Sequence, residues 1–65
     1  MKNLSIREIE VMKFTANGCT AKQIAKLTGL THRTVEAYVV NIRKKLAAKN
    51  VAHAVFIASR RNYFD

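Results

Sequence analysis

The chain has 65 residues, with 12 Lys and Arg against 4 Asp and Glu, a formal charge of +8 and hydrophobic residues at 49% of its positions. A domain this short buries roughly 60% of the surface that its unfolded chain exposes, which leaves no room for a two-lobed catalytic cleft and predicts one domain over residues 1–65 that is not an enzyme. Its apolar runs stay far below the roughly 18 residues of a membrane span, no signal-peptide pattern opens the chain, and the lone Cys19 completes neither a disulfide nor a zinc set. A cytoplasmic protein with no membrane partner, metal or cofactor is expected.

The absence of proline and the presence of only two glycines favour a few helices joined by short connections, an all-α fold. Ser5 followed by Glu8 has the spacing of a capping box, in which the hydroxyl accepts one orphan N–H and the carboxylate reaches back to another. The first helix is predicted over 6–17, with Gly18 as its left-handed closing residue. Thr20 and Gln23 repeat the signature and open a second helix over 21–28, stopped by Gly29. Thr31 caps a third helix over 32–46, in which Val35, Val39, Ile42 and Leu46 recur at the spacing of one buried stripe. Projected at 100° per residue, the opposite side of that helix displays Arg33, Ala37, Val40, Asn41 and Lys44, with Glu36 on the flank. A fourth helix is predicted over 51–61 with Val51, Ala54, Val55 and Ala58 facing inward. Phe56 and Ile57 are then surplus, and one of them must be exposed. Residues 62–65 are expected to fray, with the placing of Tyr63 and Phe64 left open.

The second and third helices carry the features of a helix-turn-helix. Ala25 is small where the two helices must cross closely, Gly29 supplies the positive φ of the turn, and Ile24, Leu30 and Val35 fill the wedge between them. Thr28 stands where a larger apolar residue is usual. Residues 31–50 hold Arg33, Arg43, Lys44, Lys45 and Lys49 against Glu36, a local excess of four positive charges that points to duplex DNA as the partner. A helix-turn-helix lays the start of its second helix against the DNA backbone, so Thr20 and Lys22 are candidate phosphate ligands. Arg33 and Thr34, beside the free N–H groups of the third helix, join them, as do Lys44 and Lys45. Cys19, His32 and His53 have no metal-ligand or nucleophile–base spacing.

The set Leu4-Ser5-x-Arg7-Glu8-x-Glu10-Val11-Met12, Ala16-x-Gly18, Gln23-Ile24-Ala25, Gly29-Leu30-Thr31, Arg33-Thr34-Val35 and Lys45-Leu46 resembles the LuxR-type DNA-binding domain over nearly the whole chain. The tail from Lys45 to Ala58 is more similar to the quorum-sensing branch than to the phosphorylated response regulators. Met12 stands where leucine is usual, Thr28 where the family is apolar, and Tyr38 where histidine or phenylalanine is common.

The resemblance implies a tetrahelical domain that acts as a sequence-specific transcription regulator in the bacterial cytoplasm, at the nucleoid. Its third helix enters the major groove with Glu36, Ala37 and Val40 facing the bases. Its fourth helix pairs two protomers, with Ala52, Phe56, Ile57, Ser59 and Arg60 as the interface candidates. The charge predicts that a homodimer forms on DNA rather than before it. No small-molecule ligand is expected in this domain, and whether the chain stands alone or is excised from a longer regulator stays open.

Glu36 can accept from cytosine N4, while Ala37 and Val40 can touch the methyl of thymine. Alternatively, Glu36 merely pairs with Arg33 or Lys44. Two other functions compete. Region 4 of a sigma factor shares the helix-turn-helix but would not need the Ala54 to Ala58 pattern. An anti-activator would instead use the fourth helix to pair with a larger relative.

Overall fold

The computed structural model describes residues 3–64, and Asp65, the last residue of the stretch expected to fray, lies outside them. Four helices follow in chain order: α1 (Ile6–Ala16), α2 (Ala21–Thr28), α3 (His32–Leu46) and α4 (Val51–Arg60). Among the described residues there is no strand, and the fold is all-α.

Each start is set by a side chain that satisfies N–H groups the helix cannot. The Ser5 N–H donates to Glu8 Oε1 at 2.7 Å while the Glu8 N–H donates to Ser5 Oγ at 3.2 Å. Thr20 and Gln23 make the same reciprocal pair at 2.8 and 3.2 Å. Thr31 Oγ1 accepts from the Thr34 N–H at 3.1 Å, and Asn50 Oδ1 accepts from the His53 N–H at 2.8 Å. Such caps are each worth about 1 kcal/mol.

The ends are equally local. Gly18 (φ +89°) and Gly29 (φ +76°) close α1 and α2 in the left-handed region, as their positions in the sequence predict. Asn17 and Arg61, expected inside helices, are instead the closing residues of α1 and α4. The end of α3 uses no glycine: Ala47 adopts φ +54°, and the Ala48 N–H reaches back to the Arg43 carbonyl at 2.9 Å. Residues 62–64, in the stretch expected to fray, form a closing turn. Asn62 takes φ +61°, its N–H donates to the Ser59 carbonyl at 3.1 Å, and the Tyr63 N–H donates to the Ala58 carbonyl at 3.0 Å. This is a Schellman closure, and it turns Tyr63 and Phe64 back against the core.

The core joins Val11 and Met12 of α1, Ile24 of α2, Val35, Ile42 and Leu46 of α3, and Ala54 and Ala58 of α4, with Leu4 at its edge. Methionine at position 12 is fully buried without strain on the helix, as its unbranched side chain allows. Val39, Val51 and Val55, expected inside, are half-buried. Thr28 resolves its polar group locally: its hydroxyl donates to the Ile24 carbonyl at 2.7 Å, so no buried donor is left open.

A candidate nucleic-acid interface

Packing Val35, Ile42 and Leu46 inward turns Arg33, Ala37, Val40, Asn41 and Lys44 outward along one side of α3, and all five are exposed. That helix is about 22 Å long at 1.5 Å per residue, and its width suits a major groove about 12 Å across. Thr20 and Lys22, at the start of α2, are exposed as well. The N–H groups of His32 and Arg33 have no intrahelical acceptor, whereas the Thr34 N–H is taken by the Thr31 cap. Thr34 also receives the Thr31 hydroxyl on its own Oγ1 at 2.9 Å, so it enters any phosphate contact already oriented.

Two of the acids, Glu8 and Glu10, lie on α1 and are each paired with a base. Glu10 pairs with Arg7 at 2.6 Å, and Glu8 lies buried beneath the N-terminus of α1. Burial alone would raise the Glu8 carboxyl pKa. The hydrogen bond from Lys45, helped by the Ser5 N–H, outweighs that and holds it below its ordinary value. Lys45 Nζ sits 2.7 Å from Glu8 Oε1, so its ammonium is engaged on α1 whereas that of Lys44 is not. The ammonium is drawn across to α1 because an uncompensated buried carboxylate is far more costly than a displaced surface lysine. Lys44, one position earlier, faces solvent.

Glu36 is 61% exposed and its nearest basic group is His32 Nε2, 3.7 Å away, rather than Arg33 or Lys44. At that separation and exposure the carboxylate remains available. Val40 is 44% exposed, one turn further along. Glu36 and Val40 share the rim of a cleft of about 330 Å³ walled by Cys19, Ala21, Ile24 and Val39. Composition gives no sign of this cleft, since its lining is brought together from all four helices, with Thr15 from α1 and Val51 from α4. Asn41 lies on the outward side of the helical projection, and sequence pattern alone gives it no role. Its exposed amide offers both a donor and an acceptor, the pair that suits adenine.

Arg43 serves the scaffold. Its Nη2 donates to the Lys49 carbonyl at 3.0 Å while the Lys49 N–H donates to His53 Nδ1 at 3.0 Å, so the backbone of one residue in the α3–α4 connection is bonded to both helices. Arg43 Nε is buried without a partner.

On α4 the surplus pair divides. Phe56 is 59% exposed, with the Arg60 guanidinium 5.9 Å from its ring centre, and Ala52 and Ser59 are exposed beside it. Ile57 is half-buried and packs against the core. Three positions after the buried Ala54, it lies largely on the core side of α4 with part of its side chain still exposed.

The pattern of the family described as bacterial regulatory proteins, luxR family, matches residues 2–58. The chain is 48% identical over 48 residues to the "Probable transcriptional regulator ycf29" of Guillardia theta, covering 74% of this chain and 23% of that protein. It is 35% identical over 60 residues to the "Transcriptional regulatory protein TdiR" of Thauera aromatica, covering 92% of this chain and 26% of that one. With the "Transcriptional activator protein BjaR1" of Bradyrhizobium diazoefficiens it shares 37% over 62 residues, covering 95% and 26%. The chain thus spans about a quarter of the length of these relatives. The packed fourth helix and a match that runs through most of it set a sigma-factor region aside. Taken with the outward, acid-poor side of α3, these matches mean that the chain is a regulatory domain rather than an enzyme and belongs to the luxR family of bacterial regulatory proteins.

Proposed function

We propose that this domain binds duplex DNA by sequence and regulates transcription, with α3 in the major groove and two copies paired through α4 on a two-fold site. The observation that carries this reading is the exposed side of α3, where Arg33 and Lys44 frame Ala37 and Val40 with Glu36 as the sole acid of the helix. Thr20, Lys22, Arg33, Thr34 and Lys44 hold phosphates, which fix register and supply most of the affinity. Glu36, Ala37 and Val40 face base edges, Ala37 against a thymine methyl. Ala52, Phe56, Ser59 and Arg60 form the pairing stripe, and Phe56 is its anchor because it is the large apolar side chain α4 leaves in water. The site of action is the nucleoid, in the cytoplasm.

The test is selection from a pool of random duplexes at low salt, followed by titration of the recovered sequence at rising salt. Recovery of a two-fold symmetric site with a steep salt dependence is expected. No recovered site, together with tight capture of a larger family member, would refute the reading and favour a protein-interaction module.

A further inference from the structure

We propose that Glu36 and Val40 together read a C5-methylated cytosine, so that this domain distinguishes methylated from unmethylated DNA. The inference rests on the proposed placing of α3 in the major groove. Residues four apart on a helix lie side by side, about 6 Å between their Cβ atoms. The pair therefore presents a carboxylate next to a branched apolar side chain, both at the rim of the same cleft. Within that cleft Glu36 is the single charged group, and the Thr15 hydroxyl, its neighbour in the lining, already donates to the Val11 carbonyl at 2.9 Å. The cleft thus offers one strong acceptor beside an apolar wall.

Each base answers that surface differently. A carboxylate at neutral pH only accepts hydrogen bonds, so it is repelled by the O6 and N7 acceptors of guanine and by O4 of thymine. Thymine brings a methyl to the apolar wall but sets an oxygen against the carboxylate. Cytosine offers its N4 amine to the carboxylate and leaves the wall facing a bare C–H. Adenine pairs its N6 donor with an adjacent N7 acceptor and has no methyl. A cytosine carrying a methyl at C5 combines the amine of cytosine with the methyl of thymine on one edge. That is the complement of an acceptor beside an apolar wall, and both charge and continuity with the exposed side of α3 favour this occupant.

The experiment runs the duplex selection on two pools, one made with cytosine and one with 5-methylcytosine, and then titrates the recovered duplex by fluorescence anisotropy with each cytosine methylated in turn. Methylation at one position per half-site is expected to tighten binding about fourfold, the effect of burying one methyl. Thymine at that position should bind more weakly than either form of cytosine. Val40→Ala, on an exposed position with helicity checked by circular dichroism, should abolish the methyl effect while cytosine remains preferred. Glu36→Gln should move the preference toward adenine. A recovered site at which methylation has no effect anywhere, or at which thymine binds as tightly as 5-methylcytosine, overturns this inference and leaves sequence-specific binding standing. Failure to recover a site from either pool overturns both.

Discussion

The pair formed by Glu8 and Lys45 joins residues 37 positions apart, and its removal tests whether α1 is anchored to the end of α3 by charge or by packing alone. Glu8→Gln keeps an oxygen for the Ser5 N–H but takes the charge away from Lys45. A hydrogen bond between charged groups is worth about 1.5–3 kcal/mol, and exposure of 31% of the Lys45 side chain moves this pair toward the lower part of that range. We expect a loss of about 1–2 kcal/mol at pH 7, or roughly 5–15 °C in Tm for a domain of this size. Thermal or urea unfolding of the wild type, Glu8→Gln, Lys45→Met and the double variant gives the coupling directly.

The pH dependence has a definite sign. The Glu8 pKa is lowered in the folded state, so its contribution is fully present above the unfolded value of about 4.3 and disappears as pH falls through the lower folded value. The difference between wild type and Glu8→Gln should therefore shrink in acid. A coupling below about 0.3 kcal/mol, or a gap that stays constant down to pH 3, would refute the argument.

Three further outcomes can be checked. Ala47→Gly should raise stability by about 0.5–1 kcal/mol, because an alanine at φ +54° carries a left-handed penalty that slightly exceeds the extra chain entropy of glycine; an unchanged urea midpoint would contradict this. Lys44→Ala should flatten the log–log salt dependence of DNA binding by about 0.9 per lost contact, whereas Lys45→Ala should leave the slope alone and lower Tm instead, so equal slopes for Lys44→Ala and wild type would remove Lys44 from the interface. Phe56→Ser should weaken cooperative occupancy of a full site, measured by gel shift, while half-site affinity and helicity hold; a drop in helicity would mean that Phe56 supports the core.

The parts of this fold visible in the sequence are those decided within four residues. Ser5 with Glu8, Thr20 with Gln23, and Thr31 locate three helix starts because a cap is a local bond, and Gly18 and Gly29 locate two ends for the same reason. Ala47 hides the end of α3, since the backbone there takes a glycine-like conformation without a glycine, and Asn62 hides the turn after α4. Lys45 could not be separated from Lys44 by composition. The two differ by 100° around α3, and only the folded position of Glu8 gives that difference a consequence. Likewise, either Phe56 or Ile57 satisfies the apolar pattern of α4, and only the packed helix shows that Phe56 is the more exposed of the two.

The Lys49 backbone, its carbonyl bonded to Arg43 and its N–H to His53, bears on operator architecture. A slack connection would let a reading head swivel and follow a half-site displaced along the duplex. Here the helix proposed to enter the groove and the helix proposed to meet a second protomer are both bonded to the backbone of one residue, so their mutual angle acts as a fixed gauge. One base pair added between half-sites turns the second by about 35° and shifts it by about 3.4 Å. A pair of protomers joined through such a gauge has no joint with which to follow that screw motion, and would tolerate changes of base within a half-site far better than a change in the distance between them.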